Sequence, residues 1–160
     1  RSLLASGWSR LDDFRGVLED WQSEPEQAGL QGFMTGFVDL LFRDGIDGRY
    51  YLLDWKSNRL EGTYDAFDPA GLTQEMARNR YFLQYLLYSV ALNQHLRATL
   101  PNYDFDRHFG GAYYVFLRGV LPPPGSELWD AAACAIYHDR PDLATIESLG
   151  AVLGQFGAGE

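Results

Sequence analysis

Residues 36–58 read GFVDLLFRDGIDGRYYLLDWKSN. Two apolar runs flank Asp44-Gly45-Ile46-Asp47-Gly48: Gly32 to Arg43, with Phe33, Phe37, Val38, Leu40, Leu41 and Phe42, and Arg49 to Ser57, with Tyr50, Tyr51, Leu52, Leu53 and Trp55. Short aliphatic and aromatic runs divided by a glycine-bracketed turn predict a hairpin of largely buried strands. Charge is out of place in such strands, yet Asp39, Asp54 and Lys56 sit in them. An ionised group taken out of water without a partner is costly, so these three residues are expected to pair, to bind metal or to do chemistry.

Upstream of the hairpin, Leu4, Trp8, Leu11, Phe14, Leu18 and Trp21 recur near the helical period. They predict one amphipathic helix, or two short ones divided at the glycines Gly7 and Gly16. Residues 23–29 (SEPEQAG) make a polar connector, and Asn58 to Pro69 reads as a mobile loop beside the charged strands. Leu72 to Leu100 is the longest helical signal, closed by Pro101, with Thr73 or the residue before it as its cap. Its middle, Tyr81 to Leu92, is apolar nearly all round and is expected to be buried on more than one side.

Phe109 to Leu117 (FGGAYYVFL) reads as a third strand, with close backbone approach at Gly110 and Gly111. Residues 121–125 (LPPPG) form a rigid spacer, and Cys134 to Tyr137 a short edge strand. Asp139-Arg140-Pro141 opens a last helix carrying Ile146, Leu149, Val152 and Leu153, and residues 154–160 form a loose tail.

A chain of 160 residues, 46% hydrophobic and 15% aromatic, is a single globular domain with one core. It has no apolar run long enough to cross a bilayer and no signal-peptide pattern, which predicts a soluble, cytoplasmic protein. It opens at Arg1 in mid-pattern, as expected of part of something longer. The lone cysteine, Cys134, excludes an internal disulfide framework and a four-cysteine iron-sulfur cluster. A net charge of −9 argues against capture of nucleic acid by the overall field, so any such binding needs a local basic patch or delivery by other parts of an assembly.

Asp54 and Lys56 are two apart on a strand and leave the same face, and Asp39 on the partner strand is within reach of it. Two carboxylates beside a lysine suit metal-assisted phosphodiester cleavage. The carboxylates hold Mg2+, which polarises the phosphate and acidifies a bound water, while the lysine orients water or stabilises developing charge. Spacing alone leaves open an Asp-Lys ion pair that merely closes a strand end. Gln84 and Tyr88 are i and i+4 on one helix face with Tyr81 a turn earlier, placed either to meet phosphate and the lysine or to pack as core aromatics with one polar tip. Arg59, Arg78 and Arg80, with Tyr81, border the charged strands and are candidates for DNA contact. Arg97, Arg107 and Arg118 read as solvated charge, and His95, His108 and His138 lack metal-ligand spacing.

Four blocks in order, GFVDLLF, YYLLDWKSN, RYFLQYLLYSVAL and HFGGAYYVFLRG, together with IYHDRP at Ile136 to Pro141, resemble the C-terminal nuclease domain of the RecB subunit of bacterial exonuclease V. That domain belongs to the PD-(D/E)XK nuclease superfamily, and the resemblance covers roughly Gly32 to Leu153. It implies a restriction-endonuclease-like α/β fold, a mixed central sheet flanked by helices, truncated at its N-terminal side. Residues 1–31 are then a helical lead-in and connector, and 32–153 the nuclease core. It further implies Mg2+, with Mn2+ able to substitute, held by Asp39, Asp54 and the backbone carbonyl of Trp55. Lys56 is the implied catalytic lysine, and Gln84 and Tyr88 match the Q-x-x-x-Y motif beside the active site.

The implied activity is exonucleolytic hydrolysis of DNA during double-strand break repair and recombination. The implied partners are DNA, the helicase part of the same chain and RecC-like and RecD-like subunits that feed the strand. One departure stands out: the family carries a histidine metal ligand upstream of the G-x-x-D strand, and no histidine precedes Asp39 here. The segment is therefore expected to hold the core of the site with incomplete metal coordination. The alternatives are a catalytically silent module of the same fold that guides DNA or docks a subunit, and an unrelated carboxylate hydrolase.

Overall fold

The structure, a computed structural model, describes residues 36–60, 64–120 and 135–157. The lead-in helix and connector of 1–31, the LPPPG spacer, Cys134 and the tail beyond Gly157 lie outside the described residues. Among the described residues four strands form one sheet in the order β1 (Leu40–Arg43), β2 (Tyr50–Lys56), β3 (Phe109–Phe116) and β4 (Ile136–Asp139). The outer pairs are antiparallel and the central pair, β2 with β3, is parallel. Parallel neighbours need a long crossover. Here it carries α1 (Pro69–Arg78), α2 (Tyr81–Thr99) and the single turn α3 (Phe105–His108), and α4 (Leu143–Gly157) follows β4. This is the mixed sheet flanked by helices expected from the sequence.

The hairpin turn is built by its aspartates. Asp44 Oδ1 accepts from the Ile46 N–H (2.7 Å), Asp47 Oδ1 from the Arg49 N–H (2.8 Å), and Gly48 takes φ +74°, where a side chain would be strained. The sheet treats the two strands differently. β2 is central, with Tyr51, Leu52 and Asp54 buried, whereas β1 is, among the described residues, an edge strand paired only with β2, and Phe37, Val38, Leu40 and Leu41 are exposed. The expectation that both strands are buried therefore holds only for β2, because an apolar run does not reveal how many neighbours a strand has.

The long helical signal of 72–100 is two helices. α1 begins at Pro69, not near Thr73: Asp68 caps it by accepting from the Gly71 N–H (2.7 Å), with Pro69 at the first turn. The stretch read as a loop up to Pro69 thus ends as a helix start. α1 stops at Asn79, whose Nδ2 donates to the Glu75 carbonyl (3.0 Å), and Arg80 reverses the chain at φ +54° before α2 starts. No glycine or proline marks this break. α2 packs on α1, α4, β2 and β3 and buries Phe82, Tyr85, Leu86, Val90, Leu92 and Leu96, in keeping with its all-round apolar middle.

The last helix starts two residues beyond Pro141, because Asp139 is still paired in β4 and Asp142 supplies the cap by accepting from the Thr145 N–H (2.6 Å). Once begun, the helix propagates through Gly157, so the described part of the tail is helical rather than loose.

β3 carries a bulge. Tyr50 pairs with Phe109 but Tyr51 with Gly111, so Gly110 is an extra residue. A Cβ on Gly110 would lie 2.3 Å from the Tyr51 ring, and Gly111 takes φ +110° with its Cβ position 2.4 Å from the Asp139 carbonyl oxygen. This is the close approach that two adjacent glycines predict.

Burial sets the ionisation of several tyrosines. It pushes Tyr103 up to about 12, and burial and then the hydrogen bond to Asp47 push Tyr51 up to about 12; Tyr85 and Tyr114 are also raised, mainly by burial. A raised folded value means the fold holds the phenol proton more tightly than the unfolded chain. The corresponding stability is intact below the ordinary tyrosine value near 10 and is lost as pH rises toward 12. The melting temperature is expected to fall steeply above pH ~10, with buried tyrosines forming tyrosinate only as the fold is lost. Tyrosinate absorbance and circular dichroism followed along one pH titration check this; phenols titrating fully while the dichroism is unchanged would contradict it.

Candidate active site

Strand alternation sends Asp54 and Lys56 to the sheet face covered by α2 and turns Trp55 to the other, where the residue is 46% exposed. Lys56 Nζ lies 2.7 Å from Asp54 Oδ2, and both side chains are only 11% exposed. Nζ also donates to Gln84 Oε1 (3.0 Å) and lies 3.9 Å from the centroid of the Tyr81 ring and 5.0 Å from that of Tyr114. Gln84 Oε1 accepts from the Tyr114 hydroxyl as well (3.1 Å). Neither ammonium nor N–H groups can accept, so the amide must turn its oxygen to Lys56.

Asp39 lies one residue before β1. The register Leu40↔Leu53, carried one step further, sets it opposite Asp54, and residues opposite each other in an antiparallel pair share a face. Its Oδ2 accepts from the Trp55 N–H at 3.0 Å. In a strand the N–H and C=O of one residue point to the same side, so the Trp55 carbonyl leaves β2 on its β1 side. Burial pushes the Asp54 carboxyl up from its ordinary value; Lys56 opposes this through its hydrogen bond and charge, and the charge of Asp39 reinforces it.

Gln84 and Tyr88 do separate jobs from one helix face. Gln84 holds Lys56, and its Nε2 reaches the Tyr88 hydroxyl (3.4 Å). The Tyr88 hydroxyl donates to the Phe37 carbonyl (2.8 Å), two residues before Asp39. The Tyr88 ring passes so close to Gly36 that a Cβ there would lie 2.8 Å from it. The glycine of G-x-x-D thus makes room for the tyrosine of Q-x-x-x-Y. Together they tie the Asp39 segment to the helix that holds Lys56.

Asp39, Asp54, Lys56, Gln84, Tyr81 and Tyr88 therefore converge. The candidate DNA contacts are peripheral: Arg59 is exposed just past Asn58, Arg78 is 73% exposed with Nη1 3.8 Å from Glu75 Oε2, and Arg80 occupies the turn between α1 and α2. Two features escaped the sequence reading. Arg118, taken as scattered charge, donates to the Ser57 carbonyl (2.9 Å) beside Lys56, and Glu75 is buried next to Asn58. The histidines stand elsewhere. His138 stacks on Tyr113 (4.3 Å), His108 closes the α3 turn on Asp104, and His95 is exposed on α2.

As oxygen donors, Asp39, Asp54 and the Trp55 carbonyl suit a hard dication such as Mg2+, which keeps several waters and needs few protein ligands. The upward push that Asp39 gives to buried Asp54 marks negative charge that a dication would offset. Among the described residues no cluster of three or more His, Cys, Asp or Glu side chains forms a cage, so the carbonyl and waters would complete such a set. No described helix is long and apolar enough to cross a membrane.

No family model matches the chain. Among curated proteins it is similar to RecBCD enzyme subunit RecB of Escherichia coli, 47% identical over 133 residues, or 78% of this chain and 10% of the relative. The same subunit of Haemophilus influenzae is 39% identical over 123 residues, 77% of this chain and 9% of that protein. In Mycobacterium tuberculosis it is 38% identical over 92 residues, 57% of this chain and 8% of the relative. The chain spans about a tenth of the length of the curated relatives it matches.

Proposed function

Because this chain is a homologue of RecB, we propose that it is the metal-dependent deoxyribonuclease segment of a RecBCD-type helicase-nuclease. In this reading it hydrolyses DNA phosphodiester bonds exonucleolytically in double-strand break repair and recombination. Its partners are DNA, RecC-like and RecD-like subunits and the helicase part of its own protein. The observation that carries the reading is the Lys56–Asp54 contact at 2.7 Å, with both side chains only 11% exposed, and exposed Asp39 set opposite Asp54 by the β1–β2 register.

In this mechanism Asp39, Asp54 and the Trp55 carbonyl would hold Mg2+, or Mn2+ in its place, which would supply Lewis-acid polarisation of the phosphate and lower the pKa of water there. Lys56 exchanges its Asp54 contact for a phosphate oxygen and stabilises the charge that develops there. Gln84, whose oxygen accepts from the ammonium at 3.0 Å, keeps it aimed through this exchange. Tyr88 fixes the Asp39 segment through the Phe37 carbonyl. Arg59, Arg78, Arg80 and Arg118 supply a local cationic rim for the DNA backbone against a net charge of −9.

The test is degradation of linear single-stranded DNA by the chain with Mg2+ or Mn2+, beside a chelated control. Cleavage that survives chelation would end this reading. Tyr88→Phe is expected to slow cleavage about tenfold by loosening Asp39. The same change should cost only about 1 kcal/mol of stability, the worth of one hydrogen bond, in a denaturant titration. An unchanged rate would mean that the Phe37 contact does not position Asp39.

A further inference from the structure

A second polar cluster borders Lys56 on its Tyr81 side, and the mechanism above gives it no task. Its centre is Glu75 on α1, 8% exposed although it carries a carboxylate. A buried charge persists only where partners offset its desolvation. Here the partners are neutral amides: Oε1 accepts from Asn58 Nδ2 (2.9 Å) and from Asn79 Nδ2 (2.8 Å). Arg78, at 3.8 Å and largely in solvent, offsets little. Ending α1 does not require this carboxylate, because the Asn79 N–H (3.1 Å) and Nδ2 (3.0 Å) already donate to the Glu75 backbone carbonyl.

The bond to Asn58 leads toward the lysine. Asn58 lies two residues past Lys56, and a carboxylate can only accept, so Asn58 must present its Nδ2 to Glu75 and its Oδ1 the other way. There Oδ1 accepts from the Tyr81 hydroxyl at 3.0 Å. The Tyr81 ring, stacked on Tyr114 with centroids 5.9 Å apart, is the surface against which the Lys56 ammonium lies. Glu75 fixes the amide, the amide fixes the phenol, and the phenol fixes the ring.

We propose that Glu75 and Asn58 are positioning residues for Lys56 that act through Tyr81, whose ring is a floor for the ammonium rather than a contact for DNA. The effect on rate rests on the nuclease reading; the placement of Lys56 does not, and can be read without any reaction. Lys56 is the only lysine in the sequence, against twelve arginines. Chain made with isotope-labelled lysine therefore gives one ε-methylene signal, displaced upfield by the ring current of Tyr81.

Asn58→Ala, Glu75→Ala and Tyr81→Leu are each expected to return that signal toward the position of a free lysine. Each should also lower kcat for single-stranded DNA about tenfold or more, with KM unchanged. Glu75→Gln keeps a carbonyl acceptor and should recover part of both losses relative to Glu75→Ala. If Glu75→Ala fails to fold by circular dichroism, Asn58→Ala carries the placement test, because Tyr81→Leu removes the ring current together with the ring. A lysine signal that stays in place in Asn58→Ala overturns the proposal, as does a rise in KM at constant kcat in Tyr81→Leu, which would make Tyr81 a DNA contact. If the wild-type chain cuts no DNA, the nuclease reading fails by itself and the lysine signal decides this proposal alone: an undisplaced wild-type signal overturns it, and displacement lost in the variants supports it.

Discussion

Asp54→Asn is expected to lower metal-dependent DNA hydrolysis by about three orders of magnitude or more, while the chain still folds. The size follows from what the carboxylate does in the proposed mechanism, since preorganised charge at a reacting phosphate contributes on the order of 10²–10³-fold per group and loss of a metal ligand adds to that. The fold should survive because asparagine has the same shape and can still accept from Lys56 through its oxygen, at a position where burial already disfavours the charged form. Lys56→Met, which keeps the apolar stem against Tyr81 but removes the ammonium, should fall by about 10²–10⁴-fold. The two variants part in calorimetry with Mn2+. Asp54→Asn should bind the ion far more weakly, whereas Lys56→Met should bind it at least as tightly as the wild type, having lost the cation that competes for Asp54. Wild-type rates in either variant would remove the pair from the mechanism.

Gly111→Ala should be strongly destabilising, because it combines backbone strain with a backbone clash. At φ +110° any side chain strains the backbone, at a cost of roughly 1–3 kcal/mol. The added Cβ would also meet the Asp139 carbonyl oxygen at 2.4 Å and Arg140 Cα at 3.1 Å, both backbone, where overpacking costs about 1–3 kcal/mol more. Against a total stability of about 5–15 kcal/mol, such a loss shows as a large drop in melting temperature or as failure to accumulate folded protein. Gly45→Ala is the control, because its Cβ meets nothing within 4 Å, and it should change stability by less than about 0.5 kcal/mol. Equal melting of the two variants would mean that β3 and β4 can part at Gly111 without cost.

The sequence exposed those parts of the site that depend on a local period. Strand alternation alone places Asp54 and Lys56 on one face, and an i, i+4 spacing alone aligns Gln84 with Tyr88. What it hid depends on contacts between distant segments. Glu75 is an ordinary glutamate on a helix until Asn58 and Asn79 are seen to close over it, and Arg118 looks scattered until β3 ends beside Ser57. The division of α1 from α2 is made by a side-chain bond from Asn79 and a left-handed Arg80, neither of which interrupts apolar periodicity. Asp68-Pro69 was legible as a helix start and was overshadowed by the polar residues before it. The exposure of β1 was not legible, because an apolar run at a sheet edge and one at its centre have the same composition.

The bulge at Gly110 reaches further than its own neighbourhood. β2 residue n faces β3 residue n+59 before it and n+60 after it, and it is the second phase that sets Asp54 against Tyr114 and Lys56 against Phe116. Were the ladder to run on in its first phase, without the bulge, Asp54 would face Tyr113, and since faces alternate with every residue Tyr114 would turn away from Lys56. The bulge absorbs one residue of β3 and so decides which of two adjacent tyrosines stands beside the lysine.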